Sequence, residues 1–374
     1  MQTTRFAIVG GGLGGLYAAF LLERLGIRDY MLLEARDRLG GRIASASWHS
    51  ALGSAGANDI DRFDLGPAWF WPDFQPQLDR LIRDLGLARF EQHDAGDMLI
   101  ERSPHGQPMR IPGVANVPAS MRLVGSMSSL TEALHRRLDD TRLFTGQAVR
   151  RMRIDGAFVE LESLDASGHA TRWRAEHVLL GIPPRLIQEA ITFTPPLPPT
   201  LHRQWRDTAT WMAPHAKYLV LFEAPFWREQ GLSGEARSAG GPLGEIHDAS
   251  VPGGHAALFG FFGVPAKARG SVPEMTLRAH CREQLVRLFG PEAASPSREI
   301  IKDWAREPYT TTAGDLEGDG QHVAAPAATP ASGPWQGRLR GIASEWSAQF
   351  PGYVAGAIEA ASLGVQAIAA PDKE

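Results

Sequence analysis

The chain has 374 residues, of which 43% are hydrophobic and 21% charged, and its net charge is −4 at pH 7. That composition describes a soluble globular protein long enough for two cores, and the lack of a basic stripe argues against a nucleic-acid binder. No stretch approaches the ~20 apolar residues of a membrane helix. The first strand starts by Arg5 and leaves no room for a leader, and the single cysteine, Cys281, allows no intrachain disulfide. A cytoplasmic protein is therefore expected.

Phe6-Ala7-Ile8-Val9 reads as a short strand. It feeds Gly10-Gly11-Gly12-Leu13-Gly14-Gly15, then an apolar-periodic stretch over 17–25, then a second apolar run, 30–33, that ends in Glu34. Strand, glycine turn, helix, strand and acid, in that order, make a dinucleotide-binding unit. Gly10 permits the tight turn, Gly12 lets the backbone approach a pyrophosphate, and Gly15 lets the helix pack closely on the sheet. The helix N-terminus, at Leu13 and Gly14, then faces the phosphates with free N–H groups and the positive end of its dipole. Glu34, 19 residues after Gly15, is placed to accept hydrogen bonds from a ribose diol.

A polar loop over 44–63 precedes a helical pattern at 74–85, and residues 88–124 are turn-rich and weakly periodic. A helix is expected from 125 to about 139, and a meander of four strands over 148–153, 157–163, 171–175 and 177–181. Strands at 216–223 and 256–263, a helix over 273–289, a loop over 310–337 and an amphipathic helix over 352–369 follow. The sequence holds no HExxH, paired CxxC, P-loop or GxSxG motif, and no metal site is expected. Of 38 basic residues only four are lysine, so Lys217, set against the apolar run Tyr218-Leu219-Val220-Leu221-Phe222, stands out. Desolvation there would lower its pKa and make it a proton partner.

From Glu34 onward, successive segments resemble the flavin-containing monoamine oxidase family. Glu34-Ala35-Arg36-Asp37-Arg38-Leu39-Gly40-Gly41-Arg42 is similar to the family segment in which paired glycines approach the cofactor and an arginine meets its phosphates. Asp64-Leu65-Gly66-Pro67-Ala68-Trp69 resembles the stretch that reaches the flavin region. Gly181-Ile182-Pro183-Pro184 resembles the strand returning to the cofactor domain, and Lys217 with Pro225-Phe226-Trp227 the lysine strand and its turn. Asp303-Trp304, with Glu307-Pro308-Tyr309, and Ser344-Glu345, with Gly352-Tyr353-Val354-Ala355-Gly356-Ala357-Ile358-Glu359-Ala360, resemble the family's last two signatures.

The resemblance implies an α/β fold: a Rossmann-like FAD-binding domain of the GR2, amine-oxidase type, with a second, reduced α+β substrate domain on a mixed sheet. Residues 1–75, 125–205 and 305–374 would form the first, and 76–124 and 206–304 the second. Cofactor contacts are implied at Gly10, Gly12, Leu13, Gly14 and Gly15, at Glu34, Ala35, Arg36, Gly41 and Arg42, at Gly66, Pro67, Ala68 and Trp69, and at Val149, Gly181, Trp304, Glu345, Tyr353 and Val354. The C-terminal helix would point its N-terminus at the flavin. Lys217 would hold a water against the flavin, and Tyr353 would form one wall of an aromatic cage. The family's cysteine that bonds FAD, and its second cage aromatic, would fall near Ala313 and Gly314, so FAD should be non-covalent; Tyr309, Trp69 or Trp71 would have to supply the second wall. The short 86–124 region implies a site that is either more open or capped by 310–337. Glu245 and His247 share a strand face toward the substrate, where a carboxylate could hold a second ammonium group.

The implied function is oxidation of a small-molecule amine by hydride transfer to flavin N5, with oxygen as acceptor and an imine and peroxide as products. A desaturase or NAD(P)H-oxidising flavoprotein of the same fold, and a non-catalytic flavin-binding module, remain alternatives.

Overall fold

The computed structural model describes residues 1–47, 60–103, 106–113, 116–317 and 324–369. Two large sheets organise them. In the first, the strand order is Thr192–Thr194, Ala148–Asp155, Phe158–Leu164, Ala170–Leu180, Gln2–Val9, Tyr30–Leu33 and Leu143–Phe144, with Leu339–Gly341 alongside Ala170–Leu180. Gln2–Val9 runs parallel to both of its neighbours, with Val9 opposite Leu33 and Leu180, and Leu180 opposite Gly341. The residues that follow (Gly10, Glu34, Gly181, Ile342) therefore share one rim, at the carboxyl ends of the strands, where open α/β sheets bind ligands.

The meander differs from the expected one. Segments 171–175 and 177–181 are one strand, Ala170–Leu180. No turn former separates them, and the strand has a partner along its whole length: its first half is antiparallel to Phe158–Leu164 and its second half parallel to Leu339–Gly341. One face of the sheet is covered by helices Leu13–Arg24, Ser128–His135, Pro76–Asp84 and Val354–Ala369, which share a core that includes Phe6, Leu16, Ile82, Leu130 and Ile358. Pro76–Asp84 packs there, beside the glycine-turn helix, although the sequence had suggested it for the other half. The opposite face is filled by Trp173, Trp205, Trp335 and Trp346.

The second sheet has the order Arg298–Asp303, Ala216–Phe222, Ala256–Phe262, Leu243–Asp248, Leu232–Ser238, Asp97–Glu101 and Met109–Ile111. Its ladders are antiparallel except between Leu232–Ser238 and Asp97–Glu101, so it is mixed. The last two strands come from the segment that the sequence reads as turn-rich. Each is short, and its neighbours rather than its own pattern hold it extended. Helix Glu274–Phe289 covers one face, packing Leu277, Cys281 and Leu285 against Tyr218, Val220 and Leu258. Cys281 is fully buried, and burial pushes its thiol pKa up. Alternation sends Lys217, Leu219 and Leu221 to the opposite face, where the leucines pack on Ala46, Phe63 and Leu65. The second sheet thus packs on the two-stranded ladder of Ser45–Ser47 and Arg62–Asp64, and its Lys217 shares one cavity with Gly10, Glu34 and Gly181 of the first sheet's rim.

Among the described residues no helix is long and apolar enough to cross a membrane, and no cluster of three His, Cys, Asp or Glu could hold a metal ion.

Candidate active site

The glycine turn closes tightly. Gly10 has φ +104°, and a Cβ there would lie 2.5 Å from Ile182 and 2.8 Å from the Gly181 carbonyl oxygen. A Cβ on Gly15 would lie 1.9 Å from the Gly10 carbonyl oxygen, so only glycine lets the helix approach the strand this closely. Gly12 differs: a Cβ there would meet nothing nearer than Gly41 Cα at 3.9 Å, and the residue fronts the cavity. Glu34 is buried at the end of its strand, where Oε2 accepts from the Gly11 N–H at 2.7 Å and Oε1 from the Arg36 N–H at 2.8 Å.

A cavity of about 640 Å³ runs from Glu34 and Arg36, past the glycine turn, to Lys217, Trp211 and Tyr353. Its residues fit a dinucleotide. The missing side chain of Gly12 leaves backbone exposed to the cavity, the helix N-terminus fronts it, and Arg36 keeps a buried Nε without a partner at the Glu34 end. Arg42 forks onto Glu345, with Nη1 to Oε1 at 2.6 Å and Nη2 to Oε2 at 3.1 Å, which fixes its guanidinium in the wall.

Lys217 stands in the middle strands of the second sheet and is 2% exposed. Its Nζ donates to the Gly66 carbonyl at 2.6 Å and to the Asp64 carbonyl at 3.1 Å, and lies 4.3 Å from the Phe259 ring centroid. Burial pushes its pKa down to about 8, opposed by the Asp64 carboxylate and aided by the Arg122 charge. Asp64 is itself raised by burial, against Arg122 and Lys217. Between these two carbonyls, the Leu65 oxygen accepts from Trp304 Nε1 at 3.0 Å. Three successive carbonyls are therefore gripped from the second sheet and its exit.

Tyr353 lies just ahead of helix Val354–Ala369, whose first turn fronts the cavity. Trp211 packs against it at 4.7 Å between ring centroids, and Trp71 meets it edge-on at 6.3 Å. Gly352, at φ +83°, lets Trp211 close in, since a Cβ there would lie 2.9 Å from that of Trp211. Met212, next in the chain, lines the cavity with φ +63°, a strained conformation for a side-chain-bearing residue. The sequence offers no signal for Trp211, which sits in a connector without periodicity.

Most of the expected residues line the cavity. Five do not: Gly15 and Glu345 support residues that do, Ala35 and Val149 are not part of its wall, and His247 lies behind Glu245. Val149 is buried in the core on the far face of the first sheet. Tyr309 sits at the nucleotide end, 5.6 Å from the Arg36 guanidinium and 6.0 Å from that of Arg150. Trp69 donates to Gln92 at 2.8 Å and packs on His247 and Phe259. Of the three candidates for a second aromatic wall, it is Trp71 that adjoins Tyr353, and Trp211, which the sequence reading missed, adjoins it more closely.

Glu245 and His247 share a face of an interior strand, with His247 Nε2 and Glu245 Oε1 2.6 Å apart. Glu245 Oε2 pairs with Arg237, which also lines the cavity. Burial raises the Glu245 pKa, but His247 and Arg237 outweigh it and hold the carboxyl below its ordinary range. Both oxygens are thus engaged by protein cations or donors, which leaves little for a second ammonium group. In the segment 310–337, Thr310 lines the cavity and Trp335 is buried under the first sheet, while 318–323 lie outside the described residues.

Comparison with known proteins bears on this architecture. The sequence model of flavin containing amine oxidoreductases matches residues 89–369, and that of an NAD(P)-binding Rossmann-like domain matches residues 8–85. A probable flavin-containing monoamine oxidase A of Dictyostelium discoideum is 27% identical over an alignment of 462 positions, covering 94% of each chain. That alignment is longer than this chain, so the relative carries segments with no counterpart here. A putrescine oxidase of Kocuria rosea is 27% identical over 95% of this chain and 93% of its own. Among solved structures, a putrescine oxidase A394C mutant superposes with a TM-score of 0.79 at 21% identity, over 99% of both chains. A cyclohexylamine oxidase from Brevibacterium oxydans superposes with a TM-score of 0.78 at 18% identity, over 98% of both. The folds agree throughout, and the chain belongs to the flavin-containing amine oxidoreductase family: it is an amine oxidase-type oxidoreductase with a flavin cofactor.

Proposed function

We propose that the protein oxidises a small-molecule amine with FAD held non-covalently and oxygen as the acceptor, giving an imine and hydrogen peroxide. The observation that carries this reading is the Lys217 ammonium, buried between the Asp64 and Gly66 carbonyls on the wall of a cavity that an aromatic pair, Trp211 and Tyr353, also lines. FAD, when bound, supplies two-electron acceptance from the amine's α-carbon and passes the electrons on. Glu34 and Gly12 would hold its ribose and pyrophosphate, with Arg42 beside the phosphates. The first turn of helix Val354–Ala369 favours negative charge developing at its N-terminus. Tyr353 and Trp211 offer π faces that orient an amine nitrogen. Lys217, with its pKa lowered to about 8, can hold a water and exchange a proton near neutral pH. The only cysteine is buried away from the cavity, which supports a non-covalent cofactor.

The relatives' names include putrescine and cyclohexylamine oxidases. The engaged Glu245 carboxylate favours a monoamine over a diamine. The deciding experiment is anaerobic bleaching of the yellow protein by a panel of monoamines, diamines, amino acids, NADH and NADPH. Bleaching by an amine, reversed by air with release of peroxide, is the expected result. Bleaching by a nicotinamide alone would overturn the reading.

A further inference from the structure

Two residues before Lys217 the same wall carries an imidazole. His215 lines the cavity. The strand ladder extends to it: Ala216 pairs with Asp303, and the Trp304 N–H donates to the His215 carbonyl at 3.0 Å. Alternation then puts the His215 and Lys217 side chains on one face, about 7 Å apart along the strand. The His215 N–H donates to the Met212 carbonyl at 3.1 Å, across the strained turn, which fixes where the ring begins.

The ring has no hydrogen-bond partner among the described residues. Nδ1 is buried with no hydrogen bond, and no protein group among the described residues bonds the other nitrogen. Nδ1 is closed off from the cavity, so Nε2 is the nitrogen of this cavity-lining ring that a ligand can reach. Burial, with the charge of Arg269 adding to it, holds the imidazole below its ordinary range. That guanidinium is itself forked onto Asp303 and donates to the Pro214 carbonyl at 2.9 Å. The ring is therefore neutral near pH 7 and has a lone pair to offer. Other polar groups on this wall are committed. Glu245 is held by His247 and Arg237, Gln75 Oε1 accepts from the Trp71 N–H at 3.2 Å, and Lys217 is a donor.

We propose that His215 is the hydrogen-bond acceptor for an N–H of the substrate amine, and that it selects N–H-bearing amines over fully substituted ones. The inference rests on the amine reading above and assigns the nitrogen its partner in that site.

The test is calorimetric titration of the flavin-loaded protein with two ligands of similar size. α,α-Dimethylbenzylamine has N–H donors but no α-hydrogen, so it binds without being oxidised; benzyltrimethylammonium has no N–H, and without a nitrogen lone pair it is not oxidised either. The wild type should bind the first more tightly. His215→Ala should weaken it about tenfold, the value of one hydrogen bond, and leave benzyltrimethylammonium within about twofold. His215→Gln, which keeps an acceptor near Nε2, should restore most of the loss, and an unchanged flavin spectrum in both variants reports an intact site. Equal weakening of both ligands, or of neither, overturns the assignment while leaving amine oxidation standing. A wild type that binds neither ligand and is bleached by no amine overturns both.

Discussion

Removing the buried lysine makes a prediction whose sign and size both follow from its surroundings. Lys217 has a pKa of about 8 in the folded protein, against 10.5 for the unperturbed side chain. Below pH 8 it is charged in both the folded and unfolded states, and the folded state bears the full desolvation cost. Between about 8 and 10.5 the unfolded chain binds the proton more tightly, so stability rises with pH through that window. Integrated from pH 7 to pH 10, the gain is roughly 2 to 3 kcal/mol. Lys217→Met has no such titration. It also strands the Asp64 and Gly66 carbonyls, a loss that does not vary with pH and so drops out of the comparison. Urea unfolding of wild type and variant at pH 7, 8.5 and 10 should show the wild type gaining roughly 2 to 3 kcal/mol relative to Lys217→Met. The same variant should retain its flavin and lose most of its oxidative turnover. A stability difference that stays flat across this range, or that moves the other way, would show that the ammonium is not desolvated as described.

Three further outcomes are expected. Gly15→Ala sets a Cβ 1.9 Å from the Gly10 carbonyl oxygen, so the purified variant should be colourless or insoluble, as absorbance at the flavin bands would report. Arg42→Ala leaves the 3%-exposed Glu345 carboxylate without its cation and should cost about 3 kcal/mol in denaturant titration, together with weaker flavin retention. Trp211→Ala removes the closer ring against Tyr353 and should raise KM for arylalkylamines by up to about tenfold with kcat less affected, as steady-state peroxide assays would show. An unchanged KM would remove Trp211 from the substrate wall.

The glycine turn, its acid and the strand around Lys217 could be read directly because each carries its own constraint. A Cβ is forbidden at Gly10 and Gly15, and alternation fixes the face on which Lys217 lies. The strands at Asp97–Glu101 and Met109–Ile111 could not, since they are extended by pairing with Leu232–Ser238 and with each other rather than by any run of their own. Strand Ala170–Leu180 was divided in two because its two halves have different partners along one edge. Trp211 was missed for a similar reason. What brings it to Tyr353 is a glycine 141 positions later, Gly352, whose positive φ and missing side chain make room for it. His215 was closer to hand: once Lys217 is placed on the cavity face, the residue two before it must share that face.

The grip on Asp64, Leu65 and Gly66 also limits how substrate can enter. To swing the second sheet away from the rim, the chain would have to leave a desolvated ammonium without its two acceptors and an indole N–H without its one. Hinged opening at this seam therefore works against the buried charge. Elsewhere on the cavity wall Arg237 is half exposed, and Met212 is already held off its preferred backbone geometry. The buried lysine is in this sense a latch that holds the Asp64–Gly66 segment to the second sheet.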